Sequence, residues 1–97
     1  MKPAHVHPKA EAEADEAFEW YWTRSESAAL GFHMELREAF NALRRSPGMG
    51  APYLQGTRRI ILDRYPFFVV YRELPRKIQI VAVAHAKRRP GYWRRRI

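Results

Sequence analysis

The residues best suited to chemistry lie in one short segment near the end of the chain. His85, Arg88 and Tyr92 stand close together there, among several other arginines. Metal-free RNA cleavage by 2′-hydroxyl attack requires a base near that hydroxyl, a cation beside the phosphate and an acid for the leaving oxygen. His85 suits proton transfer near neutral pH, Arg88 could hold the phosphate and Tyr92 could stack on a base. These three residues form the candidate catalytic set if the protein is a nuclease.

A wider set of basic and aromatic residues forms a candidate surface for an anionic partner. Residues 56–97 carry twelve Lys and Arg against two acidic residues, whereas residues 1–55 carry six against eight. This asymmetry, within a net charge of +8, is typical of a face that attracts nucleic acid or an acidic protein segment. The candidate binding residues are Arg58, Arg59, Arg72, Lys87, Arg89, Trp93, Arg94, Arg95 and Arg96.

Each candidate also has a structural interpretation. A histidine at a strand end is commonly a hydrogen-bonded structural residue, and Arg72 could pair with Glu35 or Glu38 on a helix. Tyr92 and Trp93 suit stacking or partner docking, but a tail folded back on the sheet is an equal alternative. Residue types alone leave these alternatives open.

Composition predicts one folded domain over residues 1–97. A hydrophobic content of 46% supplies enough apolar surface to offset the ordering entropy of so charged a chain. The absence of cysteine excludes disulfides and cysteine zinc sites. No apolar run is long enough to span a membrane and the N-terminus lacks the core of a secretion signal, so a cytoplasmic protein is expected.

Two further kinds of site are disfavoured. His5 and His7 share one face of a short strand but have no third ligand at a recognisable spacing, so neither a metal site nor a cofactor is predicted. A helix-turn-helix DNA reader is disfavoured because the predicted helices are acidic, whereas the basic charge lies on the strands and tail.

Apolar spacing predicts two helices after a short N-terminal strand. Pro8 suits a first helical turn, and apolar residues at three- and four-residue spacing continue to about Arg24. The other face of this helix is filled by Glu11, Glu13, Asp15, Glu16 and Glu19. A second stripe runs over residues 29–43, and the short break at residues 25–27 predicts an antiparallel hairpin. Gly31 marks either a close helix–helix approach or a tolerated glycine.

The second half of the chain predicts a loop at residues 48–56 and three strands at residues 59–62, 67–72 and 78–84. The short connections between the strands require antiparallel pairing. The last two strands are apolar on both faces, so the helices should cover one side of the sheet, and the other side should be partly sheltered. The aromatic residues expected in or beside the core are Tyr71, Trp20 and Trp22. The predicted class is α+β, in the order β-α-α-β-β-β.

Five motifs occur in a characteristic order along the chain. They are Pro8-Lys9-Ala10 at the first helix, Pro47-Gly48-Met49-Gly50 after the second, Gly56-Thr57-Arg58-Arg59-Ile60 on a strand, the Tyr-Pro turn and Tyr-Arg strand end of residues 65–72, and His85 to Trp93. This ordered set spans nearly the whole chain and resembles the RelE/ParE superfamily of bacterial toxins from toxin–antitoxin systems.

The resemblance implies a growth-arresting toxin that a cognate antitoxin neutralises, the antitoxin carrying an acidic amphipathic segment. In the ParE branch the implied target is DNA gyrase, whereas RelE members cut mRNA on the ribosome. The lysines that the RelE branch places near its catalytic centre have no clear counterparts here, where Arg58 and Arg59 stand instead. Arginine is a poor general base because its pKa is too high. The resemblance is therefore closer to ParE.

Three functions remain open at this point. The first is a ParE-like toxin that binds gyrase without catalysis. The second is a ribosome-dependent mRNA endonuclease that uses His85, Arg88 and Tyr92. The third is a non-toxic, basic nucleic-acid-binding domain. Sequence favours the first and leaves open whether the protein is an enzyme.

Overall fold

The computed structural model describes residues 1–97 as two helices packed on a five-stranded sheet. The strands are β1 (Ala4–Val6), β2 (Ala51–Pro52), β3 (Arg58–Ile61), β4 (Phe67–Glu73) and β5 (Ile78–His85), and the helices are α1 (Pro8–Trp22) and α2 (Glu26–Arg45). The strand order across the sheet is β1-β5-β4-β3-β2. The predicted α+β class is confirmed.

Local signals fix the start of each helix. Pro8 occupies the first turn of α1, and His7 Nδ1 accepts the N–H of Lys9 at 3.0 Å. Ser25 Oγ accepts the N–H of Ala28 at 3.2 Å at the start of α2. The ring of Phe18 contacts His33, and the ring of Tyr21 contacts Phe32. A later residue of α1 thus meets an earlier residue of α2. The helices therefore form the antiparallel hairpin that the short break predicts.

The N-terminal strand β1 pairs in parallel with β5, which sequence did not predict. Ala4 lies opposite Ile78, and Val6 lies opposite Ile80. The other strand pairs, β2 with β3, β3 with β4 and β4 with β5, are antiparallel, as the short connections require. Because β1 is only three residues long, it leaves the second half of the outer edge of β5 without a strand partner.

A register shift in the β4–β5 pairing decides which side chains of β5 face each side of the sheet. The shift falls just after Val70 and adds one residue to β5. Consequently, Ile80 and Val83 both belong to the cluster beneath the helices, while Val81 and Ala82 both face the other side. A bulge of this kind changes the alternation of a strand at a single point.

The two sides of the sheet carry two separate apolar clusters. The side that packs against α1 and α2, the helix face, contributes to a cluster of Ala10, Ala17, Phe32, Leu36, Ala39, Leu43, Leu62, Val69, Tyr71, Ile78, Ile80 and Val83. The opposite side, the tail face, has a cluster of Val70, Val81, Ala82 and Trp93, bordered by Tyr53, Phe68 and Tyr92. The C-terminal tail thus supplies the shelter that sequence expects on the second side.

Two aromatic predictions are wrong and one is confirmed. Trp20 and Trp22 are 53% and 48% exposed, because Tyr21 and Phe18 take the positions of α1 that pack against the core. Tyr71 is fully buried. Its hydroxyl donates to the carbonyl of Pro47 at 2.7 Å and accepts the N–H of Gly50 at 2.9 Å.

The connection between α2 and β3 is more ordered than the predicted loop. It contains the short strand β2 and two 3₁₀ turns, at Pro47–Met49 and Leu54–Gly56. Gly31 does mark a close approach, but to Tyr65 rather than to the other helix. A Cβ at Gly31 would lie 2.5 Å from the Tyr65 hydroxyl, which donates to the carbonyl of Ala28. Neither helix has the length of uncharged apolar sequence needed to cross a bilayer.

Candidate functional site

A tight reversal after β5 brings the tail back over the sheet. The N–H of Ala86 donates to the carbonyl of Pro66 at 2.8 Å, and that of Arg88 donates to the carbonyl of His85 at 3.0 Å. Gly91 completes the reversal with φ +77°, a left-handed backbone angle that a residue without Cβ adopts readily. The reversal places Tyr92 and Trp93 on the tail face.

A groove of about 420 Å³ lies between α1 and the ends of β4 and β5. His85, Arg88 and Tyr92 all line it, so the structure brings the candidate catalytic set together. The other lining residues are Glu13, Glu16, Ala17, Trp20, Tyr21, Pro66, Phe67 and Val83. Arg72 lies away from this group, because His85 pairs with Phe67 at one end of the sheet and Arg72 pairs with Gln79 towards the other.

The imidazole of His85 is held in one orientation. Its Nδ1 accepts the N–H of Lys87 at 3.0 Å, and its ring meets Phe67 edge to face at 5.0 Å. A neutral imidazole that accepts at Nδ1 carries its proton on Nε2. His85 can therefore donate a hydrogen bond through Nε2, but this tautomer offers no free basic nitrogen to a substrate hydroxyl.

The hydroxyl of Tyr92 is also engaged. It donates to Glu13 Oε2 at 2.6 Å. Burial, followed by the hydrogen bond and charge of Glu13, raises the pKa of Tyr92 well above its ordinary value of 10. Because the phenol stays protonated and keeps Glu13 as its partner, Tyr92 is poorly placed to exchange protons with a substrate near neutral pH.

The electrostatics of the groove are mixed. The Arg88 guanidinium lies 3.8 Å from the centre of the Tyr92 ring and supplies the positive charge. The carboxylates of Glu13 and Glu16 line the same groove. Glu16 is exposed and has no ion-pair partner, so it repels a phosphate that approaches Arg88. Neither His85 nor Tyr92 is free to act as the base, and the acidic lining opposes the positive charge that 2′-hydroxyl attack requires beside the phosphate.

Glu13 and Arg96 clamp the tail to the body of the protein. The Arg96 guanidinium donates to both Glu13 oxygens at 2.9 Å, and the two side chains are only 11% and 15% exposed. Glu13 also accepts the N–H of Val83, and Arg96 also donates to the carbonyl of Val81. These backbone groups lie on the edge of β5 beyond the end of β1. The ion pair therefore takes the place of a neighbouring strand and joins α1, β5 and the tail.

Comparison with known proteins identifies the family of the chain. Residues 5–90 match the family model described as the ParE toxin of type II toxin-antitoxin system, parDE. The chain belongs to this family. A solved structure described as the chromosomal ParDE TA system from P. aeruginosa has a TM-score of 0.76 and 25% sequence identity, and the match covers 88% of this chain and 96% of that one. No curated protein gives a significant match.

The arginines of this ParE family toxin that sequence assigns to partner binding fall on both sides of the sheet. Arg58 is tied on the helix side, where its Nη1 donates to the carbonyl of Gly50 at 2.8 Å. Arg59 lies on the tail face, 4.3 Å from the Tyr53 ring centre. Arg72 donates to Gln79 Oε1 at 2.7 Å instead of pairing with a helix carboxylate.

Glu35, one of the carboxylates suggested for Arg72, is used elsewhere. It accepts the backbone N–H groups of Asp63 and Arg64 in the turn after β3. Its other oxygen lies 3.8 Å from the Arg64 side chain. Because Glu35 holds this turn to α2, it contributes to the fold rather than to neutralising the tail face.

The tail residues of the ParE family toxin divide into buried and exposed groups. Lys87, Arg89, Arg94 and Arg95 are exposed and remain candidates for partner contact. Trp93 is 1% exposed, so its predicted role in docking is corrected: the ring packs on the tail face. The alternative of a tail folded back on the sheet is the one that the structure adopts.

Glu13 is the site residue that sequence reasoning missed. Helical spacing groups it with the other acidic residues on the exposed face of α1, and nothing in that spacing distinguishes it from Glu16. Its partners, Tyr92 and Arg96, lie about eighty residues further along the chain. Local periodicity cannot report such a contact, since it describes only how residues share one face of one helix.

Proposed function

We propose that the protein arrests growth by binding DNA gyrase without catalysis, and that a cognate antitoxin neutralises it. The chain belongs to the ParE toxin family. Within that family, the proposal rests on the hydrogen bonds and charges of the residues that line the groove. His85 and Tyr92 are committed to internal hydrogen bonds, and Glu13 and Glu16 line the same walls. A toxin that acts by binding has no need for a free base at this position.

The proposed antitoxin segment is acidic and amphipathic. The groove offers apolar contact through Trp20 and Phe67, and Trp20 is half exposed. The exposed cation Arg88 lines the groove, and the next residue, Arg89, is also exposed. A helix with an apolar stripe against Trp20 and Phe67, and with carboxylates placed at Arg88 rather than beside Glu13 and Glu16, would satisfy both features.

The test combines growth and supercoiling assays. Expression of the chain alone should arrest growth, and the purified protein should inhibit supercoiling by gyrase. The double variant His85→Gln/Arg88→Gln should keep both effects, because the proposed mechanism needs no proton transfer. Thermal unfolding of the variant shows whether it is folded. Loss of growth arrest by a folded double variant would contradict the proposal.

An mRNA endonuclease is the second candidate, because His85, Arg88 and Tyr92 do line one groove. Mapping of transcript ends after expression distinguishes the two toxins. Ribosome-dependent cleavage that disappears in the double variant would favour the endonuclease. If expression without an antitoxin is well tolerated, both toxin functions fail and a non-toxic nucleic-acid-binding domain is favoured.

Neutralisation requires a separate measurement. Co-expression of the antitoxin should restore growth, and binding of the purified pair should weaken as salt concentration rises. Replacing Arg88, the cation that lines the groove, by glutamine should lower the association rate and flatten that salt dependence. Binding that is unchanged by either treatment would place the antitoxin elsewhere on the protein.

A further inference from the structure

The tail face carries cations that no carboxylate neutralises. The ion pairs of the structure are Lys2 with Glu73, Arg64 with Glu35 and Arg96 with Glu13. Only two of the twelve Lys and Arg side chains in residues 56–97 are therefore paired. Of the two acidic residues in that half, Glu73 is bound to Lys2 and Asp63 lies in the turn after β3. Ten cations of this half of the chain therefore have no ion-pair partner, and Arg59 and Arg94 on the tail face are among them.

Aromatic rings hold two of these cations in fixed orientations. The Arg59 guanidinium lies over the rings of Tyr53 and Phe68, at 4.3 Å and 5.1 Å from their centres. Tyr53 in turn lies 6.1 Å from Trp93, so the Arg59 stack continues into the tail-face cluster. Next to Trp93 in the tail, Tyr92 has the Arg88 guanidinium 3.8 Å from its ring centre. A guanidinium stacked on a ring keeps its in-plane N–H donors available, which suits two-point contact with phosphate oxygens.

Arg94 extends the same surface, and Arg95 follows it in the short 3₁₀ turn Arg94–Arg96. Both are exposed. Arg94 Nε donates to the carbonyl of Gly91 at 3.2 Å, and a Cβ at Gly91 would lie 3.7 Å from both Arg94 Nε and Leu54 Cδ1. Because Leu54 directly follows Tyr53, this contact brings Arg94 to the neighbourhood of the Arg59 stack.

The tail face fits a phosphate backbone better than an acidic protein segment. Its central apolar cluster is already covered: Trp93 is 1% exposed, and Val70, Val81 and Ala82 are fully buried. At the margin, Ile61, which pairs with Phe68, and Leu54 are 63% and 41% exposed, but they are isolated side chains rather than a groove. An amphipathic helix would find no open apolar groove on this side, unlike the groove beside α1. What the tail face offers is mainly guanidinium groups.

The covered rings also disfavour recognition of single strands. Binding of unpaired bases uses exposed aromatic faces. Here Arg59 covers Tyr53 and Phe68, Arg88 covers Tyr92, and Trp93 is buried. A duplex keeps its bases stacked inside and presents phosphates outward, so it matches this surface.

We propose that the tail face docks the phosphate backbone of duplex DNA, through Arg59, Arg94 and neighbouring cations. The choice of DNA over RNA rests on the proposed function, since gyrase acts on DNA. In that setting the groove beside α1 and the tail face serve different partners: an acidic protein segment and a nucleic acid.

The test measures binding of the full-length protein to a labelled mixed-sequence duplex by fluorescence anisotropy over a salt series. The triple variant Arg59→Gln/Arg94→Gln/Arg95→Gln removes two cations of the tail face and the exposed cation that follows them in the chain. The matched control, Arg37→Gln/Arg45→Gln/Arg76→Gln, removes three exposed and unpaired cations from α2 and the β4–β5 turn. Both variants lose the same net charge, and circular dichroism verifies that each is folded.

Wild-type protein should bind with a Kd on the order of micromolar at about 0.1 M salt, the range of sequence-independent DNA binding. Each lost phosphate contact lowers the slope of log K against log salt concentration by about 0.9, so the tail-face variant should lose about 2 to 3 in slope. The control variant should lose less than about 1. Single-stranded DNA of equal length should bind more weakly than the duplex.

Equal losses in the two triple variants would overturn the proposal, because binding would then follow net charge alone. Tighter binding of the single strand would overturn it in favour of base stacking. Labelled polyglutamate that binds as tightly as DNA, with the same loss in the tail-face variant, would assign the surface to an acidic protein. A gyrase supercoiling assay separates the two proposals: inhibition without DNA binding overturns only the DNA surface, whereas DNA binding without inhibition overturns only the gyrase target.

Discussion

The helix face and the tail face of one sheet are covered in different ways. Two amphipathic helices cover the helix face, and many side chains share the contact. A short irregular tail covers the tail face, with Trp93 as its main buried side chain and the Glu13–Arg96 pair as its clamp. Because few side chains hold the tail on the sheet, replacing any one of them should lower the free energy of unfolding strongly. Many side chains hold the helices on the sheet, so replacing an exposed residue of a helix should have little effect.

The largest expected effect is at Trp93. Trp93→Ala removes the ring that fills the tail-face cluster and should lower the free energy of unfolding by about 3–5 kcal/mol. Urea denaturation measures the change. The matched control is Trp22→Ala, which removes the same side chain from an exposed site on α1 and should cost less than about 1 kcal/mol. Similar losses of stability in the two variants would contradict the claim that the tail face depends on Trp93 as its main buried side chain.

The second effect concerns the clamp. Glu13→Gln leaves Arg96 without an anion in a largely buried position and should lower the free energy of unfolding by about 3 kcal/mol. It should also speed tryptic cleavage in the tail, because Arg94 and Arg95 become more mobile. Glu16→Gln, on the exposed side of the same helix, should change stability by no more than about 0.5 kcal/mol. Unchanged proteolysis in Glu13→Gln would show that Trp93 alone holds the tail.

The third effect appears at alkaline pH. The pKa of Tyr92 is raised in the folded state, first by burial and then by Glu13, so the folded protein retains a proton that the unfolded chain loses near pH 10. This contribution to stability is complete below pH 10 and is lost as pH rises above it. The difference in stability between wild type and Tyr92→Phe should therefore shrink from pH 9 to pH 11. A constant difference would mean that the Tyr92 phenol titrates normally.

The smallest effect lies on the helix side, at the cap of α1. The pKa of His7 is lowered, first by burial and then by the nearby charges of Arg96, Lys9 and His5, with Glu13 opposing them. The unfolded chain therefore takes up a proton more readily than the folded one, so stability is complete above pH 6.5 and falls as pH drops below it.

His7→Asn tests the cap, because asparagine also accepts the N–H of Lys9 but does not titrate in this range. Stability of this variant should change less between pH 7 and pH 5 than that of wild type. Equal pH dependence in thermal unfolding would mean that His7 does not contribute.

Much of the fold could be predicted because its signals are local. The stripe of α2 and the Ser25 cap define a helix, and the short turns around Pro66 and Pro75 define antiparallel strands. The candidate site was predicted less completely. His85, Arg88 and Tyr92 do meet in one groove, but their hydrogen bonding could not be inferred from residue type.

The failures have a common physical origin. Trp20 and Trp22 were expected in or beside the core, yet Phe18 and Tyr21 occupy the inward positions. Helical spacing allows several neighbouring aromatics to point inward, and only the shape of the opposing sheet selects among them. Glu13 was grouped with surface carboxylates because its partners come from the far end of the chain.

Sequence by itself determined the α+β class, the order of the helices and the longer strands, the charge asymmetry and the resemblance to the RelE/ParE superfamily, because these depend on local pattern and composition. Tertiary structure alone decided the parallel pairing of β1, the bulge in β5, the burial of Trp93 and the Glu13–Arg96 clamp. Each of these joins residues distant in the chain, and their free energy depends on geometry that exists only after the sheet has formed.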